Sequence, residues 1–247
     1  MPIDQHVGKM GVPRLGYHRA QTCRPFLPEL FPDYNVLGWI DSDTWFQDPT
    51  FLQILAESAA RTQHIHIAPE LHYSYPKCDK LVDEEQRSVY FYYAYLYGEK
   101  KALDLCRLPI LNSGFFALHR ESPLWVAWQE QIHSIYIDRF EEINVGTRHF
   151  GEQLSLNMLI RSDFPAIYFD PLFNYLCLWE LPVRDVQGTV RLGSPPFTPI
   201  GMLHLAGGWR HFGEKYLRAG LLYRQGEYLS PKERQCLEEN LGGSAVR

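Results

Sequence analysis

Val36-Leu37-Gly38-Trp39-Ile40-Asp41-Ser42-Asp43 joins an apolar run to a pair of acids, and the fold class follows from it. Its first five residues carry no charge and read as a short buried strand. The strand ends abruptly in two carboxylates two positions apart. Asp48-Pro49 then marks a helix start, because Asp can cap and Pro fits the first helical position. Apolar residues at Phe51, Leu52, Ile54, Leu55 and Ala59 give that helix a buried face. Outward from this segment the alternation continues. His64 to Ala68 alternates like a strand, and a Tyr-rich helix is expected around residues 84–97. Ile110 to Leu118 reads as a strand interrupted by small and polar residues. Ser122-Pro123 starts a helix with apolar positions Leu124, Trp125, Trp128, Ile132 and Tyr136, and Gly151-Glu152-Gln153 opens a third. Ala166 to Phe169 and Gly201 to Leu205 are short strands. Upstream, Tyr17 to Cys23 reads as a short helix before Pro25, and the chain beyond residue 212 reads as helical and then loosely ordered. Strands alternating with helices imply an α/β fold with a mostly parallel sheet. Ligands of such sheets sit beyond the carboxyl ends of strands, where Asp41-Ser42-Asp43 falls.

Composition narrows the function classes. The chain has 247 residues, of which 45% are hydrophobic and 21% charged, so it can bury a real core and is not disordered or coiled coil. A net charge of −5 without a Lys/Arg run argues against a nucleic-acid partner. No apolar run approaches the roughly 18 residues that span a membrane, and the N-terminus has no apolar signal core. Cys23, Cys78, Cys106, Cys177 and Cys236 are odd in number, widely spaced and free of CxxC, which points to reduced thiols and a cytoplasmic location.

Four motifs can carry chemistry. Asp41 and Asp43 can both turn toward one hard cation such as Mn²⁺ or Mg²⁺, which favours oxygen ligands; a solvated turn with a capping Asp fits the tripeptide equally. Asn112-Ser113-Gly114 is poor for packing inside a strand. It fits either a close ligand approach, with Asn112 hydrogen-bonding, or a β-bulge. Glu152 at the expected helix start suits the helix dipole, or it holds an acceptor hydroxyl or acts as a base. His204-Leu205-Ala206-Gly207-Gly208-Trp209-Arg210 offers a metal-ligating imidazole, glycines that admit a phosphate, and a guanidinium with fork geometry. Weaker candidates are His64 and His66 on one strand face, the tyrosines at 90, 92, 93, 95 and 97 as an acceptor groove or a packed face, and Phe173-Asn174-Tyr175 as a loop over the site. Trp125 and Trp128 read as core.

In this order the four motifs resemble the GT-A glycosyltransferases, above all the family-8 enzymes such as glycogenin and the bacterial lipopolysaccharide galactosyl- and glucosyltransferases. The likeness runs over roughly residues 15–215, through LPELFPDYNVLGWIDSDTWFQDPTFL, LNSGFFAL, GEQLSLN and HLAGGWR. Tyr17-His18-Arg19 also looks like the family's YxR helix. The resemblance implies a single GT-A-like domain over residues 1–247, with a helical tail from 216 to 247. Its fold would be Rossmann-type, a mixed, mostly parallel sheet flanked by helices. It implies Asp41, Asp43 and His204 as ligands of Mn²⁺ or Mg²⁺, and Glu152 and Gln153 as catalytic residues. Arg19, Asn112, Ser113, Gly114, Gly207 and Arg210 would bind substrate. The donor would be a nucleotide sugar, a UDP-sugar by preference, and the acceptor a glycan or other hydroxyl in surface polysaccharide synthesis.

The chain departs from that pattern at three places. Glu152 replaces an Asp, Arg210 replaces a Lys, and Asp41-Ser42-Asp43 arrives early, so that the first nucleotide-binding strand or strands are expected to be missing. Retention follows from the resemblance, whereas Glu152 as a base would suit inversion. Two other functions are open from sequence: a truncated, non-catalytic transferase-like chain, and a phosphohydrolase of the haloacid dehalogenase type with Asp41 as nucleophile. The second fits poorly, because Thr44 stands next to Asp43 and position 45 is Trp.

Overall fold

In a computed structural model, residues 16–72, 81–139, 141–177, 182–185 and 187–206 are described. The chain forms two compact units that interleave in sequence. The first holds Met1–Ile40, Thr50–Leu71 and Asp79–Asp170; the second holds Asp41–Pro49, His72–Cys78 and Pro171–Arg247.

The first unit is built on a four-stranded sheet. Its strands are β1 (Val36–Ile40), β3 (Ile65–Pro69), β4 (Leu111–His119) and β5 (Ala166–Tyr168), in the order β1-β4-β3-β5. Its helices include α1 (Gly16–Cys23), α2 (Leu27–Leu30), α3 (Thr50–Ala59), α4 (Leu81–Tyr97), α5 (Glu99–Leu105), α6 (Leu124–His133) and α7 (Val145–Ser162). The α/β class therefore stands, but the sheet is not mostly parallel in its pairing. β4 runs antiparallel to both β1 and β3, and only β3 and β5 pair in parallel.

Successive residues of β4 face opposite sides, and aromatic packing covers both. Phe115 meets Phe51 of α3 and Phe169, with ring centroids 6.2 and 5.3 Å away. Phe116 meets Trp125 and Trp128 of α6 at 6.1 and 5.6 Å. The two tryptophans are buried core, as their spacing implies. Gly38 lets β1 lie close to β4, since a Cβ there would stand 2.9 Å from the Phe116 carbonyl oxygen.

One helix start differs from expectation. α7 begins at Val145, not Gly151, because Asn144 caps it: its side chain accepts from the Thr147 amide at 2.9 Å. Glu152 and Gln153 consequently sit in mid-helix, beyond the reach of the N-terminal dipole.

The second unit has a three-stranded sheet of β2 (Thr44–Phe46), β9 (Met202–His204) and β6 (Tyr175–Leu176), with β9 in the middle. β2 pairs antiparallel with β9, setting Thr44 opposite His204. β6 pairs in parallel with β9, setting Leu176 opposite His204. A two-stranded ribbon of β7 (Val183–Arg184) and β8 (Val190–Arg191) completes it. Leu172, Tyr175, Leu176, Val190, Ile200 and Leu203 form its core. Gln47 binds this core to the strand before it, donating to the carbonyls of Val190 and Ile200 at 3.0 and 2.8 Å.

Candidate functional site

The first cluster belongs to the second unit, and its sheet assembles it. Asp41 and Asp43 lead directly into β2, whose antiparallel register carries them to the His204 end of β9. The Leu205 amide donates to the Asp43 carbonyl at 2.9 Å, and the Thr44 hydroxyl to the Asp41 carbonyl at 2.8 Å. The ligand atoms of Asp41, Asp43 and His204 lie within 4.8 Å of one another. His204 Nε2 stands 3.4 Å from Asp43 Oδ1 and 3.7 Å from Asp41 Oδ2. A charge-assisted hydrogen bond would be about 2.7–2.9 Å. The longer spacing is close to the roughly 3 Å that two ligands at right angles keep around an ion held at about 2.1 Å. Both carboxylates are half-buried and His204 is buried, so the triad is closed on the protein side and reachable from outside. Two carboxylates and an imidazole can hold a divalent metal ion. On its other side the ring meets Asn174, with Nδ1 2.8 Å from Asn174 Oδ1. Two residues after His204 the chain turns through Ala206, whose φ of 53° lies in the left-handed region. A residue with a Cβ adopts it at a cost of about 1–2 kcal/mol.

The second cluster belongs to the first unit. Where β3 pairs with β4 the register jumps: Ile67 opposes Phe116, but Pro69 already opposes Leu111. Asn112-Ser113-Gly114, with Phe115, fills that gap. The stretch is therefore irregular in the way a bulge is, and its side chains also make a polar network. Asn112 Oδ1 accepts from the Gly114 amide at 2.9 Å, and Asn112 Nδ2 donates to Glu70 Oε1 at 2.7 Å. Gln153 Nε2 donates to the same Glu70 oxygen at 2.9 Å, while its Oε1 accepts from the Ser113 amide at 3.2 Å. Arg24 donates to Glu152 Oε2 at 2.6 Å and to the Ser113 hydroxyl at 2.7 Å. Both members of that ion pair are almost wholly buried. One turn further along α7, Asn157 accepts from the Leu111 amide at 2.7 Å and donates to its carbonyl at 2.9 Å, fixing α7 to β4. The cluster alternates donors and acceptors, with Glu70 and Gln153 half-buried at its outer side, which is a surface chemistry suited to hydroxyl groups.

No protein-family model matches the chain, and no curated protein or solved structure matches it.

Of the residues singled out in sequence, the fold brings Asp41, Asp43 and His204 into one group, and Asn112, Ser113, Gly114, Glu152 and Gln153 into the other. Gly207 and Arg210 lie outside the described residues, as do residues 216–247, where a helical tail is expected from sequence. Arg19 is half-buried on α1, and the arginine that enters the Ser113–Glu152 network is Arg24. Arg24 also lies 5.1 Å from the Trp39 ring centroid, a cation–π contact. Its signal in sequence was a charge set in the apolar run Cys23-Arg24-Pro25-Phe26-Leu27. Glu70 was also missed, although an acid directly after the buried strand Ile65–Pro69 repeats the pattern of Ile40-Asp41.

The weaker candidates separate. His64 and His66 do not form a metal pair: His64 is exposed, and His66 spends its ring on the Ser58 hydroxyl at 2.8 Å and the His64 carbonyl at 3.2 Å. Burial lowers the His66 pKa. In the Tyr-rich helix, Tyr93 is core, whereas Tyr92 stacks on Phe150 at 5.4 Å. Cys23, Cys106 and Cys177 are thiols rather than disulfides. Among the described residues no helix is long and apolar enough to cross a membrane.

Proposed function

We propose that the protein is a metal-dependent glycosyltransferase that moves a sugar from a nucleotide-sugar donor to an acceptor hydroxyl. The observation that carries this reading is the convergence of Asp41, Asp43 and His204, from distant parts of the chain, within 4.8 Å. A carboxylate-rich set favours Mn²⁺ or Mg²⁺, and an ion there would offset charge on a diphosphate leaving group. Gly207 and Arg210, directly downstream of His204, would hold the diphosphate.

The polar network on β4 and α7 would meet sugar and acceptor hydroxyls. Asn112, Ser113, Gly114 and Gln153 supply amide and hydroxyl partners. The Oε2 of Glu152 already accepts from Arg24 and Ser113. That supports a binding role for Glu152 over proton abstraction. A UDP-sugar is the donor proposed first, with a glycan as acceptor.

The test is release of nucleoside diphosphate from a panel of nucleotide sugars with Mn²⁺ present. One donor should be turned over, and Asp43→Asn should abolish that turnover while keeping a cooperative melt. Undiminished turnover in the variant would remove the metal triad from the reaction.

A further inference from the structure

A neutral imidazole has one N–H donor and one lone-pair acceptor, and the partner of one nitrogen decides the state of the other. In His204 the two nitrogens meet different groups. Nε2 faces Asp41 and Asp43; Nδ1 lies 2.8 Å from the side-chain oxygen of Asn174. His204 and Asn174 are 3% and 2% exposed, so the contact is shielded from water. An amide oxygen cannot donate, so this hydrogen bond requires the proton on Nδ1, which in the neutral ring leaves Nε2 as a lone pair. The opposite tautomer would set an N–H against the carboxylates at distances too long for a good hydrogen bond.

The backbone holds Asn174 in place for this. Its own amide donates to the Pro171 carbonyl at 2.9 Å, at the end of the short 3₁₀ turn Pro171–Phe173. The next two residues are β6, locked in parallel register with β9 and tied by the Cys177 amide to the His204 carbonyl at 2.9 Å. Asn174, one residue before β6, is therefore held beside His204 by the β6–β9 register.

We infer that Asn174 is the positioning residue of the triad: its amide oxygen fixes His204 as the Nδ1–H tautomer and turns the Nε2 lone pair toward Asp41 and Asp43. This rests on the metal-site reading of the triad. Partners of this kind behind a ligating histidine set ring orientation and basicity, and losing one weakens metal binding by about 10- to 100-fold.

The experiment combines two readouts on the full, metal-free chain. Calorimetric titration with Mn²⁺ compares wild type, Asn174→Leu, Asn174→Asp and Asp43→Asn. Asn174→Leu should bind about 10- to 100-fold more weakly. Asn174→Asp keeps an acceptor oxygen and should bind at least as tightly as wild type. Long-range ¹H–¹⁵N spectra of the wild type, which need no variant to fold, should show His204 protonated on Nδ1. An Nε2–H tautomer there would overturn the inference. So would Asn174→Leu with wild-type affinity while Asp43→Asn loses binding, a result that leaves the metal site standing. A wild-type chain that takes up no Mn²⁺ would overturn the metal reading itself, and the inference with it.

Discussion

Arg24 and Glu152 form a buried ion pair on which the β4–α7 network turns. Removing one partner of such a pair costs about 3–5 kcal/mol, because the other charge stays in low dielectric. Arg24→Met should lower the unfolding free energy measured in denaturant by that amount, and adding Glu152→Gln should recover much of it. A loss under 1 kcal/mol for Arg24→Met would show that the pair is not what holds this network. A second residue-scale effect depends on pH. Burial depresses the His66 pKa below the ordinary 6.5. The unfolded chain then binds the extra proton first, so this stability is present above pH 6.5 and lost as the pH falls. Urea unfolding above and below that value should show the decline, and His66→Gln should lessen it; an identical decline in the variant would clear His66. At this scale the sequence was legible where partners are neighbours, as in Asp41 and Asp43. Arg24 and Glu70 were not legible, because each acquires its meaning from side chains far away in the chain.

The elements were readable wherever local chemistry sets them. β1, α3, α6 and β9 lie within a residue or two of their expected positions, since apolar period and Pro-marked starts act locally. The start of α7 was misplaced because Asn144, a single capping side chain, outweighs the Gly151 that looked like a boundary. The direction of β4 could not be read at all, because antiparallel insertion between β1 and β3 is decided by distant pairing. That insertion makes a prediction about Gly38. A Cβ there would meet the Phe116 carbonyl oxygen at 2.9 Å, and backbone in mid-sheet cannot step aside cheaply. Gly38→Ala should therefore destabilise the fold by about 1–3 kcal/mol, as overpacking does. Thermal melting checks this, and an unchanged midpoint would mean that β1 is less closely held to β4 than the structure has it.

The whole molecule consists of two interleaved units, each with one of the two polar clusters. No linker composition announces this, because the chain passes from one unit to the other between adjacent residues, as at Ile40-Asp41 and Asp170-Pro171. The α/β class was legible from alternation, and both clusters were legible in part from motifs that punctuate apolar strands. What brings Asp41, Asp43 and His204 together is the β2–β9–β6 pairing, which no local pattern encodes. On the proposed reading this triad holds a metal ion, and the metal supports nucleotide binding. Its most direct test is thermal melting of the intact chain with a panel of nucleoside diphosphates, with and without Mn²⁺. A ligand that binds only the folded state raises the melting temperature. A Mn²⁺-dependent rise with one nucleotide is expected, lost in the Asp41→Asn/Asp43→Asn double variant. A cooperative melt that no nucleotide shifts, with or without Mn²⁺, would contradict it.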